Sequence, residues 1–301
     1  MSEPRWLANY DEGVPASLAP YPERDLADYL REAAARWPDR PALLFKGSSV
    51  SYLELEEKSD ALAAALLDIG VVSGDRVAIC LPNCPQFVIA EFAAWKIGAI
   101  ACPFNPLYSE REMEDALRAT GAETVVVLNR FYDKVKSAQK HTQVQRVIAT
   151  NIKEYLPWFL RIAYTILKEK KEGDRIRLAD GDFRFHKLLR RFARSTPARR
   201  DTALDEPAVI LMSGGTTGTP KGVVGSHSGM VVAGHQLQAW LEPAMDPWTD
   251  KIMLPLPLFH TYGNTGVQSL AFINHNPVAL IPNPRDLREF LKDIIAVRPA
   301  F

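Results

Sequence analysis

From Asp25 to Trp37 the apolar residues Leu26, Tyr29, Leu30, Ala33 and Trp37 recur at three- and four-residue intervals. That spacing predicts an amphipathic helix, and Pro38 stops it. Short apolar runs then alternate with helical patterns. Ala42–Phe45 and Val50–Tyr52 read as strands around the polar turn Gly47-Ser48-Ser49, and Leu53–Ile69 as a helix closed by Gly70. Arg76–Cys80 reads as a strand, Gln86–Ile97 as a helix ending at Gly98, and Ile100–Pro103 as another strand. Ser109 is an N-cap for a helix to Thr120, with Glu112 completing a capping box. Thr124–Leu128 and Ala208–Met212 are apolar enough to be buried strands. Repeated strand–helix alternation predicts an α/β fold with mostly parallel sheets flanked by helices. Residues 1–24, punctuated by Pro15, Pro20 and Pro22, read as an extension preceding one domain over 25–301.

The stretch Ile152–Arg200 breaks the rhythm. It carries 14 Lys/Arg against 6 Asp/Glu, an excess of +8, whereas the whole chain of 301 residues balances 36 against 36. Within it, Tyr155–Lys171 joins Trp158, Phe159, Ile162, Ile166 and Leu167 to the basic end Lys168, Lys170 and Lys171. Two expectations compete. A basic amphipathic helix can lie on an anionic membrane surface. The plainer expectation, and the preferred one, is an insertion packed by its apolar face, its lysines favoured at a helix C-terminus by the dipole.

Composition removes several classes. Apolar residues make up 47% and charged residues 24%, as in ordinary globular domains. Zero net charge argues against a nucleic-acid partner bound through a global basic field. Cys80, Cys84 and Cys102 are odd in number, which fits a reducing compartment, and they lack zinc-site spacing. Met1–Tyr10 has no apolar secretory core, and Tyr155–Leu167 is too short to cross a membrane and contains Arg161. The expected location is the cytoplasm, with peripheral contact at the inner membrane surface as the alternative that the basic stretch raises.

The densest chemistry is in Ser213-Gly214-Gly215-Thr216-Thr217-Gly218-Thr219-Pro220-Lys221-Gly222, which packs four glycines, four hydroxyls and a lysine into ten residues. Glycines let backbone N–H groups converge on an anion, hydroxyls add donors or face a cation, and lysine brings a mobile positive charge. Neither the Walker A order nor the dinucleotide fingerprint is present. By composition alone the segment could also be a Gly/Thr-rich surface turn.

The order of these ten residues resembles the signature loop of the adenylate-forming superfamily, which includes acyl-CoA synthetases, luciferases and peptide-synthetase adenylation domains. Other stretches fall in that family's order: Val50-Ser51-Tyr52-Leu53-Glu54-Leu55, Lys96-Ile97-Gly98-Ala99 through Asn105-Pro106, Gly222–His227, and Pro257-Leu258-Phe259-His260-Thr261-Tyr262-Gly263. The resemblance runs from about Leu26 to Phe301. The opening and the basic insertion look most like bacterial long-chain fatty-acid–CoA ligases.

The resemblance implies the N-terminal domain of the adenylate-forming fold and a two-step reaction using ATP, Mg2+ and coenzyme A on a fatty acid. It places Thr216, Thr217, Gly218 and Lys221 on the ATP phosphates within the 213–222 loop, Ser213 facing magnesium, and His260 beside the reacting carboxylate with Gly263 leaving room. His260 as a core histidine is the competing expectation. His227 is expected to be structural, and His141, His186, His235 and His275 show no constellation. Asp201, Asp205 and Glu206 read as turn residues. The family's later adenine-contacting segment and its C-terminal domain have no counterpart here, so the expectation is a fold incomplete at the C-terminus, inactive alone, whose second half lies in the same or a separate chain. Ligases for aryl, medium-chain or amino acids, and a non-catalytic nucleotide- or acyl-binding half, are the alternatives.

Overall fold

Asp25 accepts a hydrogen bond from the Asp28 N–H at 2.9 Å and donates its own N–H to the Asp28 carboxylate, and this capping box starts the first helix. The computed structural model describes residues 4–197, 200, 202–213 and 221–301. In chain order the elements are α1 (Leu26–Arg36), β1 (Pro41–Phe45), β2 (Ser48–Ser51), α2 (Tyr52–Asp68), β3 (Arg76–Cys80), α3 (Pro85–Lys96), β4 (Ile100–Pro103) and α4 (Glu110–Thr120). There follow β5 (Thr124–Leu128), α5 (Tyr132–Gln139), β6 (Arg146–Thr150), α6 (Trp158–Leu167), β7 (Phe183–Arg184), α7 (Phe185–Arg191) and β8 (Pro207–Met212). The last are β9 (Gly222–Ser226), α8 (His227–Leu241), β10 (Ile252–Leu254), α9 (Ser269–Ile273), β11 (Val278–Leu280) and α10 (Leu287–Val297).

Two sheets result. The seven-stranded sheet has the order β7-β6-β5-β3-β4-β8-β9 and is parallel except for the β8–β9 hairpin. The four-stranded sheet, β10-β11-β1-β2, is parallel except for the β1–β2 hairpin. One apolar core joins both sheets through α1, α2, α3, α8 and α9. Every residue of α3 is buried, as expected of a helix covered on all sides. Met113, Leu117 and Val135 from α4 and α5 pack on Val125 and Val127 across the opposite face of the larger sheet.

The motif stretches have structural work in this frame. Ser51 caps α2 and Glu54 closes its capping box, so the predicted second strand ends before Tyr52, which is buried as the first helical residue. Lys96 is buried and paired with Glu56 at 2.8 Å and Asp60 at 2.6 Å, which ties α3 to α2. The Asn105 side chain accepts the Leu107 N–H at 3.0 Å in an Asx turn. The extension before residue 25 lies on α8, with Tyr10 against Trp240 at 5.1 Å between centroids.

Three expectations are corrected. The turn between β1 and β2 is Lys46-Gly47, both at positive φ (47° and 86°). A two-residue primed turn satisfies the hairpin twist, which leaves Ser48 and Ser49 free to pair with Phe45 and Leu44. The expected Tyr155–Lys171 helix is split: Ile152–Tyr155 forms a 3-10 turn, and α6 begins only after Pro157. Finally, α6 is not packed by its apolar face. Trp158 and Ile166 are each 75% exposed, and the only buried residue of α6 is Tyr164. Beyond α10 the chain runs alongside β10: the Ala300 N–H donates to the Lys251 carbonyl, and the Met253 N–H to that of Phe301.

Candidate active site

β8 is held between β4 and β9, and the predicted phosphate loop connects the two legs of the β8–β9 hairpin. Gly214, Gly215, Thr216, Thr217, Gly218, Thr219 and Pro220 lie outside the described residues. The two ends of the loop are placed. The Ser213 N–H donates to the Lys221 carbonyl at 2.8 Å, and the Lys221 N–H donates to Ser213 Oγ at 3.2 Å. This double clasp fixes the mouth of the loop at the carboxyl end of β8, on the sheet edge where open α/β folds bind ligands. Lys221 is exposed, and its side chain has no ion-pair partner among the described residues. A Cβ on Gly222 would stand 2.7 Å from Ile210 Cγ2, so a larger residue there forces the Ile210 side chain to shift.

The His260 segment leaves the carboxyl end of β10 and is clamped by one buried side chain, Asn83. Its amide donates to the carbonyls of Leu254 and Leu256, both at 2.9 Å, and its oxygen accepts the Leu258 N–H at 2.8 Å. Asn83 itself sits between β3 and α3, so the carboxyl edges of the two sheets are joined there. His260 is exposed rather than a core histidine, and its Nδ1 accepts the Tyr262 N–H at 3.3 Å. Nε2 has no hydrogen-bond partner among the described residues. The chain then winds into a π-helix over Tyr262–Gln268, a rare geometry frequent at functional sites. A Cβ on Gly263 would lie 2.4 Å from the Pro257 carbonyl oxygen, so the absence of a side chain is what lets this turn close on the preceding segment.

Beneath the π-helix is a polar group with no sequence precedent. Glu91, on the all-buried α3, accepts hydrogen bonds from Asn264 Nδ2 at 2.7 Å and Gln268 Nε2 at 2.6 Å. Burial raises its carboxyl to about 7, with the two amide bonds pulling the other way. The amide oxygens of Asn264 and Gln268 have no partner among the described residues, and rotating either carboxamide would offer an acceptor to the protonated acid. A carboxyl whose folded value lies above its unfolded 4.5 favours folding at low pH and loses that contribution as pH rises toward about 7. Stability against denaturant is therefore expected to fall by roughly 3 kcal/mol as pH rises between those values through this group alone. In Glu91→Gln that part of the slope should vanish; parallel profiles for the two proteins would show that Glu91 titrates normally.

Comparison with known proteins decides the family. The family model for AMP-binding enzymes matches residues 30–301. The chain belongs to the AMP-binding enzyme family. A long-chain-fatty-acid–CoA ligase of Bacillus subtilis is 31% identical over 306 residues, covering 99% of this chain and 53% of the relative. One from Yersinia pestis is 32% identical, covering 96% and 52%. Among solved structures, a long-chain-fatty-acid-CoA ligase from Archaeoglobus fulgidus superposes with a TM-score of 0.76 at 22% identity, over 96% of this chain and 53% of that one. An anthranilate CoA ligase in complex with anthranoyl-AMP gives 0.77 at 19%, over 92% and 49%. The chain thus spans about half the length of the relatives it matches, and its fold is that of their N-terminal domain.

In this AMP-binding domain four of the remaining histidines make contacts within the fold. His227 is buried against the Trp95 ring at 6.2 Å between centroids, and burial lowers its pKa. His235 Nε2 lies 2.8 Å from Tyr29 Oη, His275 stacks on Trp248, and His186 Nδ1 lies 3.1 Å from Glu154. Glu206 pairs with Arg200 at 3.0 Å, as befits a turn residue. The three cysteines are buried free thiols, and no group of His, Cys, Asp and Glu among the described residues could hold a metal. Asn83 and Glu91, which shape the His260 segment, were invisible to motif reading.

Proposed function

We propose that the native protein containing this chain activates a fatty acid with ATP and transfers it to coenzyme A. The support is the coincidence of the loop order Ser213–Gly222 with whole-chain identity of about a third to curated long-chain ligases. In the first step a carboxylate oxygen attacks the α-phosphorus of ATP, a P–O bond to the acyl group forms, the α–β bridging bond breaks, and pyrophosphate leaves. In the second, the coenzyme A sulfur attacks the acyl carbonyl carbon, and AMP leaves as the thioester forms. Lys221 and the hydroxyls of the loop hold the β- and γ-phosphates, where negative charge grows on the leaving group. His260, exposed beside the π-helix, faces the acyl group, and Gly263 keeps the turn tight enough to bring it there.

The donor set fits magnesium as a partner of the nucleotide rather than as a resident metal. Ser213 Oγ already accepts the Lys221 N–H and keeps a lone pair, so it is one oxygen ligand at most, the rest coming from phosphates and water. Bound there, the ion would neutralise charge on the phosphates. Aryl acids are the second reading, favoured by the overlap with the anthranilate ligase fold. An acid panel with the native gene product, read as thioester formed, separates the two. Long-chain fatty acids are expected to give the highest kcat/KM; turnover confined to aryl acids would replace the substrate assignment while leaving the chemistry intact.

A further inference from the structure

α6 is mounted inside out. At 100° per residue, Trp158, Phe159, Leu160, Ile162, Ile166 and Leu167 share one arc of about 200°, and all of them are exposed. The opposite, polar side holds the helix to the protein. Tyr164 hydrogen-bonds Asp174 and Arg130, Thr165 accepts from Lys153 Nζ at 3.0 Å, and Arg161 donates to the Lys153 and Glu154 carbonyls. A helix anchored by its polar side has its apolar side fixed outward.

The charges around it are sorted in the same sense. Glu169 faces inward to Lys153 at 2.6 Å and Asn151 at 3.0 Å, while Glu172 and Asp174 close on Arg130 at 2.7 and 2.6 Å. Lys168, Lys170 and Lys171 are exposed and have no ion-pair partner among the described residues. These three acids are neutralised internally, so the surface around the apolar arc of α6 carries a positive border. The helix itself is far too short to span a bilayer, and no helix among the described residues is long and apolar enough to do so.

We propose that α6 and the Lys168–Lys171 turn form a docking surface for an anionic lipid bilayer. The apolar arc enters the headgroup–acyl boundary, Trp158 sits at the interface, and the three lysines meet acidic headgroups. The three unpaired lysines call for an acidic counter-surface, which an anionic membrane supplies together with an apolar layer for the arc. This surface does not depend on the ligase reading, since its assay needs no turnover.

The test is flotation of the native full-length protein with vesicles of phosphatidylcholine alone or mixed with phosphatidylglycerol. Binding is expected to the mixed vesicles and to weaken as salt is raised. Combined Lys168→Glu, Lys170→Glu and Lys171→Glu should reduce partitioning at least about hundredfold, from about fivefold per lysine. Ile162→Ser with Ile166→Ser should lower it on the mixed vesicles at low and at high salt alike. These positions are exposed, so thermal unfolding midpoints should hold and report that the variants are folded. Flotation unaffected by both variants would overturn the proposal. So would a vesicle-free dimer that Ile162→Ser with Ile166→Ser converts to monomer, which would assign the face to a second copy. Shielding of Trp158 from an aqueous quencher without lipid, read as the difference from Trp158→Phe, would assign it to the rest of the chain and equally overturn the proposal.

Discussion

Lys221→Ala is expected to lower fatty-acid-dependent ATP–pyrophosphate exchange by the native protein by about 10²- to 10³-fold, the range found when one donor to developing charge is removed. The lysine is exposed and its side chain has no ion-pair partner among the described residues, so the fold loses almost nothing. Its backbone keeps the clasp, because the N–H to Ser213 Oγ and the carbonyl to the Ser213 N–H do not involve the side chain. The loss should therefore appear in kcat and in the KM for ATP with an unchanged unfolding midpoint. Lys221→Arg should recover part of the rate, since charge is kept while the compact ammonium is replaced by a planar fork. Exchange unaffected by Lys221→Ala would remove this residue from the phosphates.

Asn83→Ala is expected to produce the largest loss of stability. It deletes three hydrogen bonds at once and strands the Leu256 carbonyl and the Leu258 N–H around a buried position, while the Leu254 carbonyl keeps only the Ile281 N–H at 3.3 Å. At about 1–3 kcal/mol for each stranded group, reduced by local relaxation, the cost is roughly 3 kcal/mol or more. For a domain of this size that corresponds to a fall of about 6–12 °C in Tm. Activity should fall further than the folded fraction alone explains, because the same segment carries His260. Asn83→Asp keeps the acceptor for Leu258 but sets a carboxylate against two carbonyls, so it should be no better than the alanine variant. The control is Asn105→Ala, which loses one exposed turn bond and should cost under about 1 kcal/mol. Equal midpoints for Asn83→Ala and the wild type would show that solvent replaces the clamp.

The sheet frame was legible because its determinants are local. Val125, Val126 and Val127 announce a buried strand by themselves, and Ser109 with Glu112 announces a helix start. The loop was read from residue order, and the structure places only its two ends, Ser213 and Lys221. Glu91 and Asn83 were not legible. Their partners are 171 to 177 residues away, and nothing in an apolar helix such as α3 says that one carboxyl is met by two amides from a π-helix. α6 shows a different limit. Its periodicity revealed an apolar arc, but which side faces the protein is decided by Arg130, Lys153 and Asp174, which lie outside the helix. The hairpin turn was misread because a primed turn needs two positive-φ positions, and Lys46 supplies one without being a residue that advertises it.

The most direct measurement is pyrophosphate exchange into ATP by the native gene product, with and without a long-chain fatty acid and in the absence of coenzyme A. Formation of an acyl-adenylate predicts exchange that requires the acid, saturates with it, and needs no thiol. Exchange that ignores the acid, or none at all from a folded protein that binds ATP, would contradict the proposed acid activation.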